Sequence, residues 1–217
     1  MTNANKRGQK TEDFVWTGMH PFFYDPFISY FTPDLRGKVI LDCGCGKGML
    51  GYLTKATRDM TGAKMIGLDS SEKVLSFCKK HNVYDKLVKH KLPSIPLKDK
   101  SVDFLLCTEV IEHFTKKDGS ELLNEIDRVC RGRSLISTPN VFFPNPPGID
   151  EDVHKSLWGV KDFKVRGYKV YGLGFKVPLV NTDPFYKIKQ ALHYIATPLS
   201  YFYPQVSGFL LCVKEYK

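Results

Sequence analysis

Several kinds of segment are missing from this 217-residue chain. No uninterrupted apolar run reaches the roughly 18 residues of a membrane-crossing helix, and no secretory leader is visible, so the expectation is a soluble, cytoplasmic protein with no transmembrane segment. Paired zinc-type spacing is absent from the six cysteines; Cys43, Cys45, Cys78, Cys107, Cys130 and Cys212 read as reduced thiols inside apolar or motif segments. Acidic residues are the minority charge, 23 against 32 Lys and Arg, for a formal net charge of +9. That imbalance suits an anionic partner such as RNA, a phosphorylated metabolite or a membrane surface, and equally a solvated lysine-rich surface. Two phosphate-binding turns are missing as well. A nicotinamide-type turn would read G-x-G-x-x-G, but Met49 stands at the third glycine; a phosphate loop needs Ser or Thr after Gly46-Lys47, and Gly48 follows instead.

What is present is the stretch V-I-L-D-C-G-C-G-K-G from Val39 to Gly48. Val39, Ile40 and Leu41 form the short apolar run of a buried central strand. Gly44, Gly46 and Gly48 then make a turn in which a ligand can press against the backbone, and Met49, Leu50 and Leu53 open a helical pattern. Strand, glycine turn and helix form a nucleotide-type corner. Asp42, just before the glycines, would repel a pyrophosphate but can pair directly or through water with an ammonium group, such as the one S-adenosylmethionine carries. About twenty residues on, Lys64 to Leu68 reads as a second strand ending in Asp69, whose carboxylate can accept both hydroxyls of a ribose.

With I-L-D-C-G-C-G-K-G followed by a strand ending in Asp, the chain resembles the class I S-adenosylmethionine-dependent methyltransferases, of the type 11 or type 23 kind. The resemblance covers about Leu35 to Phe175 plus the final strand. It implies an α/β, Rossmann-like fold: a mostly parallel seven-stranded sheet with an antiparallel last strand and helices on both faces. It also implies S-adenosylmethionine as cofactor, bound by Asp42, Cys43, Gly44, Cys45, Gly46 and Gly48, by Asp69 and Ser70, and by Glu109. Many relatives hold the adenine amino group with an acidic residue after the third strand. Here that place reads His90-Lys91-Leu92-Pro93, and no side chain is assigned to it.

The chain divides into a polar tail at 1–13 and a single methyltransferase domain at 14–217. Within the domain, 14–37 is an aromatic cap, carrying Phe14, Trp16, Phe22, Phe23, Tyr24, Phe27, Tyr30 and Phe31 around Pro21 and Pro26. It either covers the ligand cleft or lies on one side of the sheet. Ser70 or Ser71 caps a helix using Val74, Leu75 and Cys78; a third strand falls at Lys86 to Lys89, a fourth ends at Thr108-Glu109-Val110, and Leu122, Leu123, Ile126, Val129 and Cys130 mark a helix that Gly132 ends. Ser134 to Ser137 is a fifth strand, a helix ends near Arg166-Gly167, and Lys169 to Phe175 and Gly208 to Val213 are the last two strands. An insertion at 176–207 shapes the substrate entrance. Its helix is capped by Thr182 or Asp183, carries a stripe of Phe185, Ile188, Leu192 and Ile195, and is closed by Pro198. The stripe reads as core or lid packing, while Lys187, Lys189, Tyr194, Tyr201, Phe202 and Tyr203 leave a peripheral membrane contact open.

Methyl transfer from a sulfonium is an in-line displacement, so the protein must orient the partners, exclude water and, for a hydroxyl acceptor, remove a proton. His113 and His154 are the candidate catalytic bases. E-V-I-E-H and S-T-P-N are similar to motifs of ubiquinone-type O-methyltransferases and of glycan- or lipid-linked relatives, which implies O-methylation of a small-molecule, glycan or lipid-linked acceptor without a metal. Taken together, Glu109, Glu112, His113 and His154 also resemble the metal-binding constellation of the small-RNA 2′-O-methyltransferases, implying a divalent ion such as Mg²⁺ or Mn²⁺ that grips a terminal ribose. A non-catalytic binding module on the same fold is the third reading.

Overall fold

The computed structural model of the chain describes residues 21–141, 153–176 and 184–217. Seven strands form one sheet in the order β3-β2-β1-β4-β5-β7-β6. They are β1 (Val39–Cys43), β2 (Lys64–Asp69), β3 (Lys86–Lys89), β4 (Val102–Thr108), β5 (Cys130–Pro139), β6 (Lys169–Leu173) and β7 (Phe209–Glu215). The pairs β3-β2, β2-β1, β1-β4 and β4-β5 are parallel, and β7 runs antiparallel to both β5 and β6. β1 pairs with β2 on one side and β4 on the other, so the order of strands reverses there. A crevice opens at such a point outside the carboxyl ends of the strands.

The central strands are buried on both faces and therefore read as continuous apolar runs rather than alternating ones. Leu41, Leu105 and Ile136 face one core with Trp158, Phe163 and the Leu122, Leu123 and Ile126 stripe of α4 (Lys116–Val129). Ile40, Phe104, Leu106 and Met65 face the other core. There they meet Ile28 and Phe31 of α1 (Pro21–Phe31), Leu50 of α2 (Met49–Thr57), and Leu75 and Cys78 of α3 (Glu72–Lys80). The short α5 (Val160–Lys164) precedes β6. In α1 the Phe31 ring packs 4.7 Å from that of Tyr171 in β6, so the described part of the aromatic segment lies against a sheet face; Phe14 and Trp16 fall outside the described residues.

Several boundaries differ from the sequence reading; β4 ends at Thr108, before Glu109 and Val110, and β7 runs on to Glu215. α4 stops at Val129 and β5 begins at once with Cys130, so Gly132 is a strand residue and not a helix stop. The β4–β5 register shifts between Val102 and Phe104, and a Cβ on Gly132 would lie 2.2 Å from the Asp103 carbonyl oxygen; the backbones approach too closely there for any side chain. β6 ends at Leu173, two residues before Phe175. Pro198 does not close the insertion helix: α6 (Tyr186–Ile195) is followed by α7 (Thr197–Phe202), and Pro198 sits in the first turn of α7, where its missing N–H leaves no bond unmade. Thr182 and Asp183 lie outside the described residues.

α7 is held to the sheet edge by close backbone contact. A Cβ on Gly172 of β6 would lie 2.2 Å from the Ser200 carbonyl oxygen and 2.5 Å from Ser207 Cβ, and both serines are fully buried. Gly172→Ala is therefore expected to destabilise the protein by about 1–3 kcal/mol. A thermal melt should show a midpoint several degrees lower; an unchanged midpoint would mean that α7 is not seated as described.

Candidate active site at the β1–β4 crevice

The glycine turn after β1 is built from backbone bonds. Gly44 N and Cys45 N both donate to the Leu68 carbonyl oxygen, at 2.8 and 2.9 Å, which ties the turn to the end of β2. All three glycines have positive φ, +77° at Gly44, +49° at Gly46 and +77° at Gly48, but their surroundings differ. A Cβ on Gly44 would lie 2.5 Å from Val110 Cγ2, and one on Gly48 would lie 2.8 Å from Val83 Cγ1. Nothing comes within 4 Å of a Cβ placed on Gly46. Gly44 and Gly48 thus serve close packing, while Gly46 faces the open space that a ligand pressed against the turn requires.

Asp69 braces the turn from β2. Its Oδ2 accepts from Gly46 N at 3.0 Å and its Oδ1 from Ser71 N at 2.9 Å, leaving further lone pairs for hydroxyls. Ser71, not Ser70, is the residue at the N-cap of α3, without a side-chain bond to the helix. Cys43 and Cys45 turn their side chains into the two cores, so what they offer a ligand is backbone.

Asp42 is almost fully buried, and its Oδ2 accepts a 2.5 Å hydrogen bond from the Tyr84 hydroxyl. Burial raises the Asp42 carboxyl to about 6; the Tyr84 bond works against that rise, and the nearby Asp69 charge adds to it. Tyr84 was not visible in the sequence as a site residue. It follows α3 with no motif around it, and its ring is admitted only because Gly51 and Gly67 lack side chains: a Cβ on either would lie 2.6 Å from the ring.

At the end of β4 the chain turns sharply, with Glu109 at φ +54° and a 3-10 turn at Ile111–His113. Ser137 Oγ donates to Glu109 Oε1 at 2.8 Å, and Thr138 Oγ1 donates to Glu112 Oε2 at 3.1 Å, so the S-T-P segment of β5 orients both carboxylates. The Glu112 carbonyl oxygen accepts from Lys155 N at 2.8 Å and Ser156 N at 3.1 Å, which pins the segment carrying His154 over this turn. The His113 and His154 rings meet edge to face with centroids 5.1 Å apart. One ligand-type atom from each of Glu112, His113 and His154 lies within 4.8 Å of the others, and Glu109 stands outside that group. Glu112 Oε1 and His113 Nδ1 are buried without a hydrogen-bond partner. Burial first, and then the Glu109 charge, pushes the Glu112 carboxyl well above the ordinary carboxylate range. Val110, against Gly44, joins this cluster to the glycine turn.

A family model described as a methyltransferase domain matches residues 41–137, from the glycine-turn strand through β5. Over this part of its length the chain is similar to S-adenosylmethionine-dependent methyltransferases. That family implies S-adenosylmethionine as the methyl donor. Among curated relatives, a probable S-adenosylmethionine-dependent methyltransferase of Mycolicibacterium smegmatis is 33% identical over 59% of this chain and 47% of its own length. An uncharacterised protein of Methanocaldococcus jannaschii is 30% identical over 61% of this chain and 55% of its own. The chain thus spans about half the length of the curated relatives it matches. Among solved structures, a chain of the complex containing the Haloferax volcanii Trm112 methyltransferase activator superposes with a TM-score of 0.64 at 16% identity, covering 96% of this chain and 92% of that one. At that identity the likeness is one of fold.

The raised Asp42 carboxyl predicts a pH dependence. The folded chain holds that proton more tightly than the unfolded chain, whose Asp titrates near 3.8, so stability is lost as pH rises from about 4 to about 6. Asp42→Asn escapes this loss. In the absence of ligand it should be more stable than the parent by about 3 kcal/mol at pH 7 and no more stable below pH 4, as read by urea unfolding.

Proposed function

We propose that this chain transfers a methyl group from S-adenosylmethionine to a hydroxyl oxygen of a small-molecule, glycan or lipid-linked acceptor. The observation that carries the reading is the histidine pair, His113 and His154, held against Glu112 and joined through Val110 to a ligand-accommodating glycine turn. The residues present fit the cofactor: Gly46 leaves room for it, Asp69 retains lone pairs for ribose hydroxyls, and the buried Asp42 carboxylate is a counterpart for an ammonium group. When bound, S-adenosylmethionine supplies a methyl carbon made electrophilic by its sulfonium. The chain's own task is then to align the acceptor oxygen, exclude water, and take the hydroxyl proton on an imidazole nitrogen of His113 or His154.

One observation favours a second reading. A buried carboxylate oxygen and a buried imidazole nitrogen without partners are costly unless a proton or a cation answers them. Glu112, His113 and His154 offer the mixed oxygen and nitrogen donors that a divalent ion takes, with Glu109 nearby in sequence. In that reading the acceptor is a terminal ribose of RNA, and Glu112, His113 and His154 would hold the ion that would acidify its hydroxyl.

Labelled cofactor offered to a fractionated cell extract, with and without chelator and nuclease, separates the two. Label in a nuclease-resistant fraction that ignores chelator supports the first reading; nuclease-sensitive, chelator-sensitive label supports the second. Asp69→Ala should abolish the heat of cofactor binding in calorimetry, and retained affinity would remove Asp69 from the site. His113→Ala should slow turnover by about 10² to 10⁴ while leaving cofactor affinity within a few-fold; equal losses in both would make His113 a structural residue.

A further inference from the structure

Among the described residues a long apolar stripe stays uncovered. Ile188, Leu192, Ile195, Leu199 and Phe202 follow one another at intervals of four, three, four and three residues, the spacing of one helix face. They are 60, 48, 75, 56 and 76% exposed. Of the two readings of the Phe185, Ile188, Leu192 and Ile195 stripe, core or lid packing, this exposure speaks against the core. What docks is the other side of α7, where Ser200 is buried against β6 and the Tyr201 ring stacks on that of Tyr171 at 4.9 Å. Beside Phe202 the stripe continues into an apolar cavity of about 370 Å³ between α1 and α7, lined by Phe27, Tyr30, Pro198 and Tyr201 among others and by no residue of the glycine turn or the histidine cluster.

The charge along the segment that carries the stripe is of one sign. No Asp or Glu occurs from Pro184 to Lys214. At about 100° per residue, Lys187 and Lys189 fall on opposite flanks of the α6 stripe. Tyr194 and Tyr203, amphipathic and exposed, accompany it.

We propose that the α6–α7 face seats on the surface of an anionic lipid bilayer, with the stripe in the acyl boundary and the flanking lysines reaching the headgroup phosphates. α6 has 10 residues, about half of what crosses a bilayer, and no helix of the described residues is long and apolar enough to do so. A second copy on the same face would bring lysines toward lysines with no acidic residue on either helix to answer them, whereas phosphates do so directly. The seat also lies beside the crevice edge of the sheet. Lys176 N donates to the Val206 carbonyl oxygen at 2.9 Å, and Asn140 Nδ2, just past β5, donates to the Pro204 and Ser207 carbonyl oxygens at 3.0 and 2.9 Å. Resting on the methyl-transfer reading above, this placement favours the lipid-linked acceptor among the three classes.

The test is co-sedimentation of the full chain with vesicles of phosphatidylcholine alone or mixed with phosphatidylglycerol. The parent is expected to bind the mixed vesicles, more weakly as salt rises. Ile188→Asp combined with Ile195→Asp should weaken binding at least tenfold, and Lys187→Gln roughly fivefold. Unchanged cofactor affinity in calorimetry shows that these surface variants remain folded. Failure of the parent to bind mixed vesicles, equal binding by the double Asp variant, or a dimer in light scattering that the double variant returns to monomer would each overturn the proposal. A parent that binds vesicles but no cofactor would instead refute the methyl-transfer reading and leave the membrane seat standing.

Discussion

The carbonyl oxygen of Leu68 takes two backbone N–H groups from the glycine turn, and the rest of the site hangs from that joint. It fixes the carboxyl end of β1 to that of β2 and brings Gly46 N to the Asp69 carboxylate. It also holds the turn where Gly44 can back onto Val110. β1 and β4 are paired from Ile40 to Asp42 in any case, so what the joint adds is a fixed seat for the glycine turn against Val110 at the end of β4. Because a parallel sheet delivers these strand ends to the same edge, the glycine turn and the Glu112, His113 and His154 cluster lie at that one edge.

Those sites share a second property. Asp42 and Glu112 are both buried carboxyls, and burial raises both above their ordinary range. Each receives a single hydroxyl bond, from Tyr84 and Thr138 respectively, which is less than a buried carboxylate needs. A protein selected for stability alone would have replaced them with apolar residues. Their presence beside one crevice fits the proposed reading, in which each is completed by positive charge brought from outside, an ammonium group at Asp42 and a proton or cation at Glu112.

The strands that carry the site were legible because buried parallel strands are short apolar runs, and β1, β2, β3 and β4 stand where those runs fall. The β5 boundary was not legible, since Gly132 reads locally as a helix stop. Only the shifted register against Asp103 shows it to be a strand residue at a close backbone approach. Glu112, His113 and His154 were recognisable as a set from motif context, and the fold brings these three together while leaving Glu109 just outside. Tyr84 was invisible, because its role follows from a hydrogen bond across 42 residues of sequence.

The sequence by itself determined the resemblance to the methyltransferases, the order of strand, glycine turn and acidic strand end, and the residue types available at the crevice. These depend on local spacing and on backbone freedom, which the chain carries with it. Tertiary structure decided which carboxyls lose their water, which histidines meet, and which apolar stripe stays outside. The α6 stripe has the spacing of a core helix and could have been one. It is exposed because α7 docks on β6 through Ser200 and Tyr201, and burial depends on what the neighbouring elements leave uncovered.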